Sequence, residues 1–402
     1  MNAILDNTHQ GAHTPVFVWP AERASIDRQF IDVGYTHQFT DDWSLSTNFT
    51  FNGQDFFFPI NQSPTIASFE SDGWLFEVNS SLKVSDELSV IVGGTIERVS
   101  GVIDLGAANK YHVNRKSMYM QADYVITEWL KLVGGFQLNI PEVTDPKLSP
   151  RAGVIANFSD NWGIKLLYGE AFRMAAGGAL FLDTPFYIGN KNIEPETIKT
   201  TDAQIFYQSP RFNMALTYYQ SNAEDIHGRE SVAGLIGVTT EVNEGSIESN
   251  GIEFESKMRL NESWDFEGSL SYQVNEDYLG RNDAMLSPNL MAKLGVNWKP
   301  SPGYHIGLFN SYFGESGQVE KFFPNVDMVN PPANAYDLLT LNVNIDLVET
   351  LGWRMFPESS FSLYIDNLLD ENIYQPEINT KVVNTLPSYS GIAFYLGFEF
   401  KL

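Results

Sequence analysis

Residues 391–402 read GIAFYLGFEFKL, and their alternation of side chains decides the fold. Every even position is apolar, from Ile392 to Leu402, whereas the odd positions include Gly391, Glu399 and Lys401. Successive side chains of a β-strand point to opposite faces, so this pattern predicts a strand with one apolar face. Strands of soluble proteins usually run about five or six residues, whereas a tilted membrane-crossing strand needs about 9–11. The length therefore favours a strand that crosses a membrane.

The same alternation recurs along the chain, beginning near Gln29. Examples are residues 43–52, 74–83, 252–260, 264–275 and 339–347. Aromatic residues make up 13% of the 402 residues, which suits an apolar outer band flanked by aromatic girdles. The sequence has no run of about 18 apolar residues, so no transmembrane helix is predicted. These observations predict an all-β protein with about 17 antiparallel strands.

The connections between the predicted strands alternate between short and long. Short connections, rich in turn-forming residues, are 40–42, 85–87, 159–161, 209–211, 261–263 and 300–302. Long connections cover 53–72, 99–116, 173–197, 227–246, 315–336 and 369–390. Short periplasmic turns and long extracellular loops are typical of transmembrane β-barrels. The predicted fold class is therefore an antiparallel transmembrane β-barrel meander in the outer membrane.

Charge and composition exclude several classes of function. The formal net charge of -25 argues against nucleic-acid binding, because phosphate contacts need a basic face. Cysteine is absent, so the sequence offers neither a disulfide framework nor a thiolate metal site. Residues 1–10 lack a basic segment followed by an apolar core, so they are not expected to be a signal peptide.

Four segments, in a fixed order, resemble a known family. They are SPRAG at 149–153, YGEAFR at 168–173, GNKNIEPET at 189–197, and IDNLLD at 365–370 followed by Tyr374. From Ser149 onward the chain resembles the C-terminal half of a TonB-dependent receptor. That family imports iron-siderophores, cobalamin and similar scarce ligands. The match implies a structural role for Arg173 in the barrel wall.

The resemblance also implies a domain organisation. Such receptors have barrels of about 22 strands with a plugged lumen. Residues 1–402 are then expected to be a partial receptor barrel, with 1–28 as an extracellular loop, 29–402 as the strands, and no plug domain. The implied partners are outer-membrane lipid and lipopolysaccharide, a small ligand such as a ferric siderophore or vitamin, and TonB through the missing plug. The expected location is the outer membrane of a Gram-negative cell.

No residues indicate catalysis, a metal site or a cofactor. Glu253 and Glu255 share one strand face, but basic residues at 257 and 259 share it too, which favours an ion-pair network over acid-base chemistry. His9 and His13 have a helical metal-ligand spacing, but Gly11 and the nearby proline at 15 disfavour a helix. The chain is therefore predicted not to be an enzyme.

Apolar clusters in the long loops are the candidates for ligand binding, because exposed apolar clusters often mark binding surfaces. These clusters lie at residues 56–58, 181–187 and 321–323. The residues predicted to face the ligand are Phe186, Tyr187, Lys321 and Phe322. The alternative is that these side chains are girdle or loop-packing aromatics.

Three functions remain open from the sequence alone. The first is the barrel of a receptor for TonB-dependent uptake, as a fragment not expected to transport alone. The second is a passive outer-membrane pore or a surface adhesin. The third is a secreted all-β enzyme, which the strand lengths and the missing catalytic constellation disfavour.

Overall fold

The structure is a computed structural model that describes residues 2–11, 23–59, 66–104, 108–184, 186–352, 358–378 and 382–401. The strands in the first half of the chain are β1 (Asn2–Gly11), β2 (Arg23–Thr40), β3 (Trp43–Pro59), β4 (Ile66–Lys83), β5 (Leu88–Asp104), β6 (Ala108–Thr127), β7 (Leu130–Pro141), β8 (Lys147–Asn157), β9 (Trp162–Arg173), β10 (Asp183–Thr184), β11 (Tyr187–Ile188) and β12 (Glu196–Gln208).

The remaining strands are β13 (Phe212–Glu224), β14 (His227–Ser231), β15 (Thr239–Asn243), β16 (Ile247–Arg259), β17 (Trp264–Asp277), β18 (Leu290–Trp298), β19 (Tyr304–Phe313), β20 (Tyr336–Asp346), β21 (Glu358–Asp366), β22 (Tyr374–Pro376), β23 (Thr385–Pro387) and β24 (Ala393–Lys401). The helices are α1 (Gly177–Phe181), α2 (Leu347–Leu351) and a 3-10 turn at Val319–Lys321. Among the described residues, no helix is long and apolar enough to span a membrane.

The chain divides into two compact units. The first comprises residues 1–156, 166–201 and 221–246, and the second comprises 157–165, 202–220 and 247–402. In the first unit, β1 to β8 form an antiparallel meander in which each strand pairs with the next. In the second unit, the meander runs from β16 to β21 and then to β24. Shorter and longer connections alternate from β16 to β24, as predicted.

The number of strands in the main sheet from β2 onward agrees with the number predicted from the sequence. Within the described residues the main sheet has eighteen strands, so seventeen remain when β1 is set aside. β1 lies within residues 1–28, which the sequence predicted to be an extracellular loop, and it pairs with β2 from Asn2↔Asp32 to Gly11↔Arg23. The sequence of β1 shows no regular alternation of apolar and polar residues.

Two predicted long loops are largely strand. β3 and β4 stay paired from Trp43↔Leu82 to Pro59↔Ile66, inside the predicted loop 53–72. β5 and β6 stay paired as far as Asp104↔Ala108, inside the predicted loop 99–116. Glycines and polar residues interrupt the alternation in these segments, but backbone hydrogen bonding does not need alternation. The predictions of loops at 53–72 and 99–116 were therefore wrong in extent.

The register sorts apolar and polar side chains onto opposite faces of the sheet. Between β16 and β17, Ile252 lies opposite Tyr272 and Phe254 lies opposite Leu270, and all four side chains are exposed. The alternate positions pair polar residues, such as Glu255 with a serine. Soluble proteins rarely expose contiguous apolar surface of this extent. The exposed face of these two strands is therefore apolar.

The last strand follows the predicted pattern. β24 pairs with β21, so that Leu396 lies opposite Leu363 and Phe394 lies opposite Ile365. Phe394, Leu396 and Phe398 are exposed, at 62%, 69% and 64%. The strand therefore has one apolar face along its length.

Candidate functional site

Two long connections of the first unit fold into a small sheet. Residues 174–195 contain α1, β10 and β11, and residues 225–246 contain β14 and β15. β11 pairs with β10 on one side and with β15 on the other, and β15 pairs with β14. We call these four strands the loop sheet.

An apolar cluster holds residues 174–195 against β6. Val113 of β6, Leu180 of α1 and Ile193 are buried together. Tyr111 of β6 stacks on Phe181 of α1, with ring centroids 6.0 Å apart and an angle of 6° between the rings. Burial of these side chains fixes the position of α1 on the strand.

Arg173 and Glu196 form a bidentate ion pair. Nη2 of Arg173 donates to Oε1 of Glu196 at 2.7 Å, and Nε donates to Oε2. The same Oε1 accepts the backbone N–H of His227 at 2.8 Å. Hydrogen bonds between charged groups in this two-point geometry are strong and directional. Glu196 therefore ties the end of β9 to the start of β14.

The backbone of Glu194 provides the second attachment. Its carbonyl accepts from Nδ2 of Asn243 at 2.8 Å, and its N–H donates to Oδ1 of Asn243 at 2.7 Å. Nε2 of His227 lies 2.8 Å from the same carbonyl, which can only accept, so that nitrogen carries the proton. We call Arg173, Glu194, Glu196, His227 and Asn243 the clamp.

The clamp explains two of the family-like segments. Arg173 ends the YGEAFR segment, and Glu194 and Glu196 lie in the GNKNIEPET segment. Asn190 of the latter also donates through Nδ2 to the carbonyl of Glu241 at 2.9 Å. These residues hold the β14–β15 hairpin, which is consistent with the structural role expected for Arg173.

Of the predicted ligand residues, Tyr187 lies in the loop sheet and Phe186 directly precedes it on the chain. Phe186 is 56% exposed, and its carbonyl accepts the N–H of Thr239 at 3.0 Å. Tyr187 on β11 is only 6% exposed, and the guanidinium of Arg229 lies 5.3 Å from its ring centroid. Burial, followed by the nearby charge of Glu241, raises the pKa of Tyr187 to about 12. Phe186 is thus accessible, whereas Tyr187 is covered.

The other two predicted residues lie in the second unit, in the connection between β19 and β20. Lys321 ends the 3-10 turn and is exposed. Phe322 packs against the buried cluster of Leu286, Val319 and Val326. The guanidinium of Arg281 lies 4.9 Å from the ring centroid of Phe322. Lys321 is accessible, and Phe322 acts mainly in loop packing.

The β14–β15 hairpin ends in an apolar tip, residues 233–237 (AGLIG), that was not among the predicted ligand residues. Leu235 is 47% exposed and Ile236 is 104% exposed. Gly234 and Gly237 flank them with φ of 83° and 75°, a region open to glycine. An apolar pair between glycines inside a long predicted loop is the sequence signal that could have identified this tip.

The IDNLLD segment forms a buried turn after β21. Asn367 is fully buried, with φ of 48°. Its Nδ2 donates to the carbonyls of Glu371 at 2.9 Å and Ser390 at 3.2 Å, and its Oδ1 accepts the N–H of Glu371 at 2.9 Å. Asn tolerates this left-handed conformation better than most residues. The segment therefore has a structural role.

The polar face of β16 differs from the expected ion-pair network. Nε of Arg259 pairs with Oδ1 of Asp265 at 2.9 Å, and Lys299 lies 3.8 Å from the same carboxylate. Arg259 thus forms its ion pair with Asp265 on the neighbouring strand β17, rather than with Glu253 or Glu255 on its own strand. Of the histidines weighed for metal binding, His13 lies outside the described residues, as does the side chain of His9.

Comparison with solved structures identifies the fold. The copper transporter OprC aligns with a TM-score of 0.70 and 13% identity, over 94% of this chain and 67% of that protein. A mutant of the ferric enterobactin receptor PfeA of Pseudomonas aeruginosa aligns with a TM-score of 0.73 and 13% identity, over 93% of this chain and 61% of that protein. The FrpB iron transporter of Neisseria meningitidis aligns with a TM-score of 0.72 and 14% identity, over 94% of this chain and 63% of that protein. The chain thus spans about two thirds or less of each protein.

Sequence comparison identifies the family. A search of curated proteins found no match. The family model for the TonB-dependent receptor-like β-barrel matches residues 3–368, which is most of the sequence. The chain therefore belongs to the TonB-dependent receptor β-barrel family, whose members are transporters and not enzymes.

Proposed function

We propose that this chain forms the ligand-binding wall of an outer-membrane receptor that imports a scarce metal-containing ligand or vitamin with energy supplied through TonB. The observation that carries the proposal is the clamp. Its residues from the segments that resemble the family hold the loop sheet in place, next to strands of the main sheet that have an exposed apolar face. A fixed loop sheet lowers the entropic cost of ligand binding. The copper, iron and ferric enterobactin proteins among the structural neighbours support a metal or metal-chelate ligand.

The exposed apolar face supports a location in the outer membrane of a Gram-negative cell. Strands β2 to β6 have 17 to 20 residues, longer than the 9–11 that a membrane crossing needs, so their ends would reach beyond the lipid. We place the long connections outside the cell and the short turns in the periplasm. Lipid and lipopolysaccharide would cover the apolar face.

The eighteen strands of the described residues would form part of a barrel of about 22 strands. The structural neighbours are longer than this chain, which leaves room for a plug and further strands. In this proposal TonB acts through the plug rather than through residues 1–402.

We propose direct ligand contact for the accessible Phe186 and Lys321. Tyr187 and Phe322 would instead hold the neighbouring contact residues in place. Tyr187 is covered by Arg229, and Phe322 packs into an apolar cluster. Within the first unit, the exposed ring of Phe186 suits a flat apolar part of a ligand. Within the second unit, the ammonium group of Lys321 suits negative charge.

Uptake of ligands that carry a radiolabelled metal, iron in the chelates and cobalt in cobalamin, tests the function. The receptor would be expressed in a strain without its own ferric-siderophore receptors, with and without functional TonB, and offered a panel of ferric chelates and cobalamin. We expect uptake of at least one of them that disappears without TonB. Uptake that continues unchanged without TonB would indicate a passive pore and contradict the proposal. Fractionation should place the protein in the outer membrane, and a stable water-soluble product without detergent would contradict that location.

A further inference from the structure

The polar face of the strands in the second unit carries a cavity. Its volume of about 550 Å³ falls in the range of small-molecule sites. Its lining residues come from β9, β12, β13 and β16 to β19, all at positions that belong to the second unit. Glu255, Ser269 and Lys293 are among them, and on their strands they alternate with exposed apolar residues of the opposite face, such as Phe254 and Leu270. We call this feature the polar-face cavity.

Lysines are concentrated in this cavity although the chain as a whole is acidic. Acidic residues outnumber Lys and Arg by 50 to 25 in the sequence, whereas the cavity is lined by Lys165, Lys257 and Lys293 and by the carboxylates of Glu255 and Glu267. None of these five side chains forms an ion pair within the described ranges. Three ammonium groups against two carboxylates leave the lining with a net positive charge, which attracts an anion.

A row of hydrogen-bond donors crosses the sheet at this cavity. Ser269 on β17 lies opposite Lys293 on β18, and Lys293 lies opposite Ser311 on β19. Residues directly opposite each other on neighbouring strands have β-carbons about 4.5–5.5 Å apart, so the ammonium group has a hydroxyl on either side. Neither serine side chain makes a hydrogen bond in the part of the chain that the structure describes. This row therefore offers free donors to a carboxylate.

The adjacent row on the same face provides an aromatic surface and a second cation. Lys257 lies opposite Glu267, Glu267 lies opposite Gly295, and Gly295 lies opposite Phe309. A β-carbon built at Gly295 would come within 2.6 Å of the ring of Phe309, so the ring lies over the glycine. An aromatic ring between two ammonium groups suits a ligand whose flat apolar part carries negative charge at its edges.

We propose that the polar-face cavity binds a planar aromatic dicarboxylate. Lys293 binds one carboxylate together with Ser269 and Ser311, Lys257 binds the other, and the ring of Phe309 stacks on the flat part. These residues are different from those proposed to contact the imported ligand, and the inference does not depend on uptake.

The test uses three small probes. Isophthalate has the aromatic ring and two carboxylates, glutarate has two carboxylates separated by the same number of carbons but no ring, and isophthalamide has the ring but no charge. Isothermal titration calorimetry is carried out on the protein in lipid nanodiscs, and the heat from empty nanodiscs is subtracted. We expect isophthalate to bind more tightly than either of the other probes.

Variants assign this binding to the cavity. Lys293→Gln should bind isophthalate about tenfold more weakly, because it loses a charged hydrogen bond. Phe309→Leu should weaken isophthalate binding several-fold and leave glutarate binding unchanged, because only isophthalate stacks on the ring. Lys299→Gln is the matched control, since Lys299 lies in the same unit, 3.8 Å from Asp265, and does not line the cavity. It should bind isophthalate as the unaltered protein does.

Three outcomes would overturn the inference. The first is no binding of isophthalate to the unaltered protein at millimolar concentration. The second is equal binding of isophthalate by Lys293→Gln and by the unaltered protein, or an equal loss in Lys299→Gln. The third is binding of isophthalamide as tight as that of isophthalate, which would mean that the ammonium groups do not select the ligand. The proposed uptake function is decided separately, because these titrations involve neither transport nor TonB.

Discussion

The ring of Tyr119 on β6 lies directly over Gly93 on β5. A β-carbon built at Gly93 would come within 2.5 Å of the phenol oxygen and its carbon. The hydroxyl of Tyr119 donates to Oε1 of Glu77, which lies one strand further along. Tyr119 therefore crosses β5 to reach β4, and this path exists only because position 93 has no side chain.

The first prediction concerns this crossing. Gly93→Ala should destabilise the protein by about 1–3 kcal/mol, because the added methyl group must displace Tyr119. Gly134→Ala on β7 is the matched control, because a β-carbon there would meet nothing within 4 Å. Urea denaturation of the reconstituted protein would measure both variants. If the two variants are equally stable, the position of the Tyr119 ring does not depend on the absence of a side chain at Gly93.

The second prediction concerns the clamp. Glu196→Gln removes the charge that Arg173 and the N–H of His227 bind, so opening of residues 225–246 should become easier by about 1 kcal/mol. Hydrogen exchange of peptides from 225–246 would measure this change. Glu224→Gln is the control, since it breaks the exposed pair with Lys199 at 2.7 Å and exposed pairs contribute little. Unaltered exchange in Glu196→Gln would mean that the ion pair does not hold the hairpin.

Alternation predicted the strands because an apolar face gives each of them a period of two. It did not predict β1 or the extended ends of β3 to β6, because apolar and polar residues do not alternate regularly in these segments. The clamp also lay beyond prediction from the sequence alone. His227 lies 31 positions from Glu196, and Asn243 lies 49 positions from Glu194, so no local pattern records these contacts.

The sequence also could not tell which of the predicted ligand residues are accessible. A cluster of aromatic residues at 181–187 indicated a binding surface, yet only the structure distinguishes the exposed Phe186 from the covered Tyr187. Arg229, whose guanidinium lies 5.3 Å from the ring centroid of Tyr187, is on β14 more than forty positions away. The resemblance segments gave the family but not the function of each residue, because Asn367 and Glu196 both act through bonds to distant backbone groups.

The third prediction separates two contributions of Asn367. Asn367→Gly keeps the left-handed φ of 48° accessible but removes three hydrogen bonds, and should cost about 2–3 kcal/mol. Asn367→Ala loses the same bonds and also strains the backbone, so it should cost about 1 kcal/mol more. Urea denaturation of the two variants gives the difference. If the alanine variant is as stable as the glycine variant, the backbone conformation at this position is not a constraint.

The fourth prediction concerns Tyr187 and pH. Burial raises the pKa of its phenol from 10.0 to about 12, so the folded loop sheet favours the neutral form. The stability that this burial contributes is therefore complete below pH 10 and is lost as the pH rises towards about 12. Absorbance at the phenolate band, taken as the difference between the unaltered protein and Tyr187→Phe, isolates the titration of this residue. We expect a midpoint near pH 12, and a midpoint near pH 10 would mean that Arg229 does not keep the ring covered in solution.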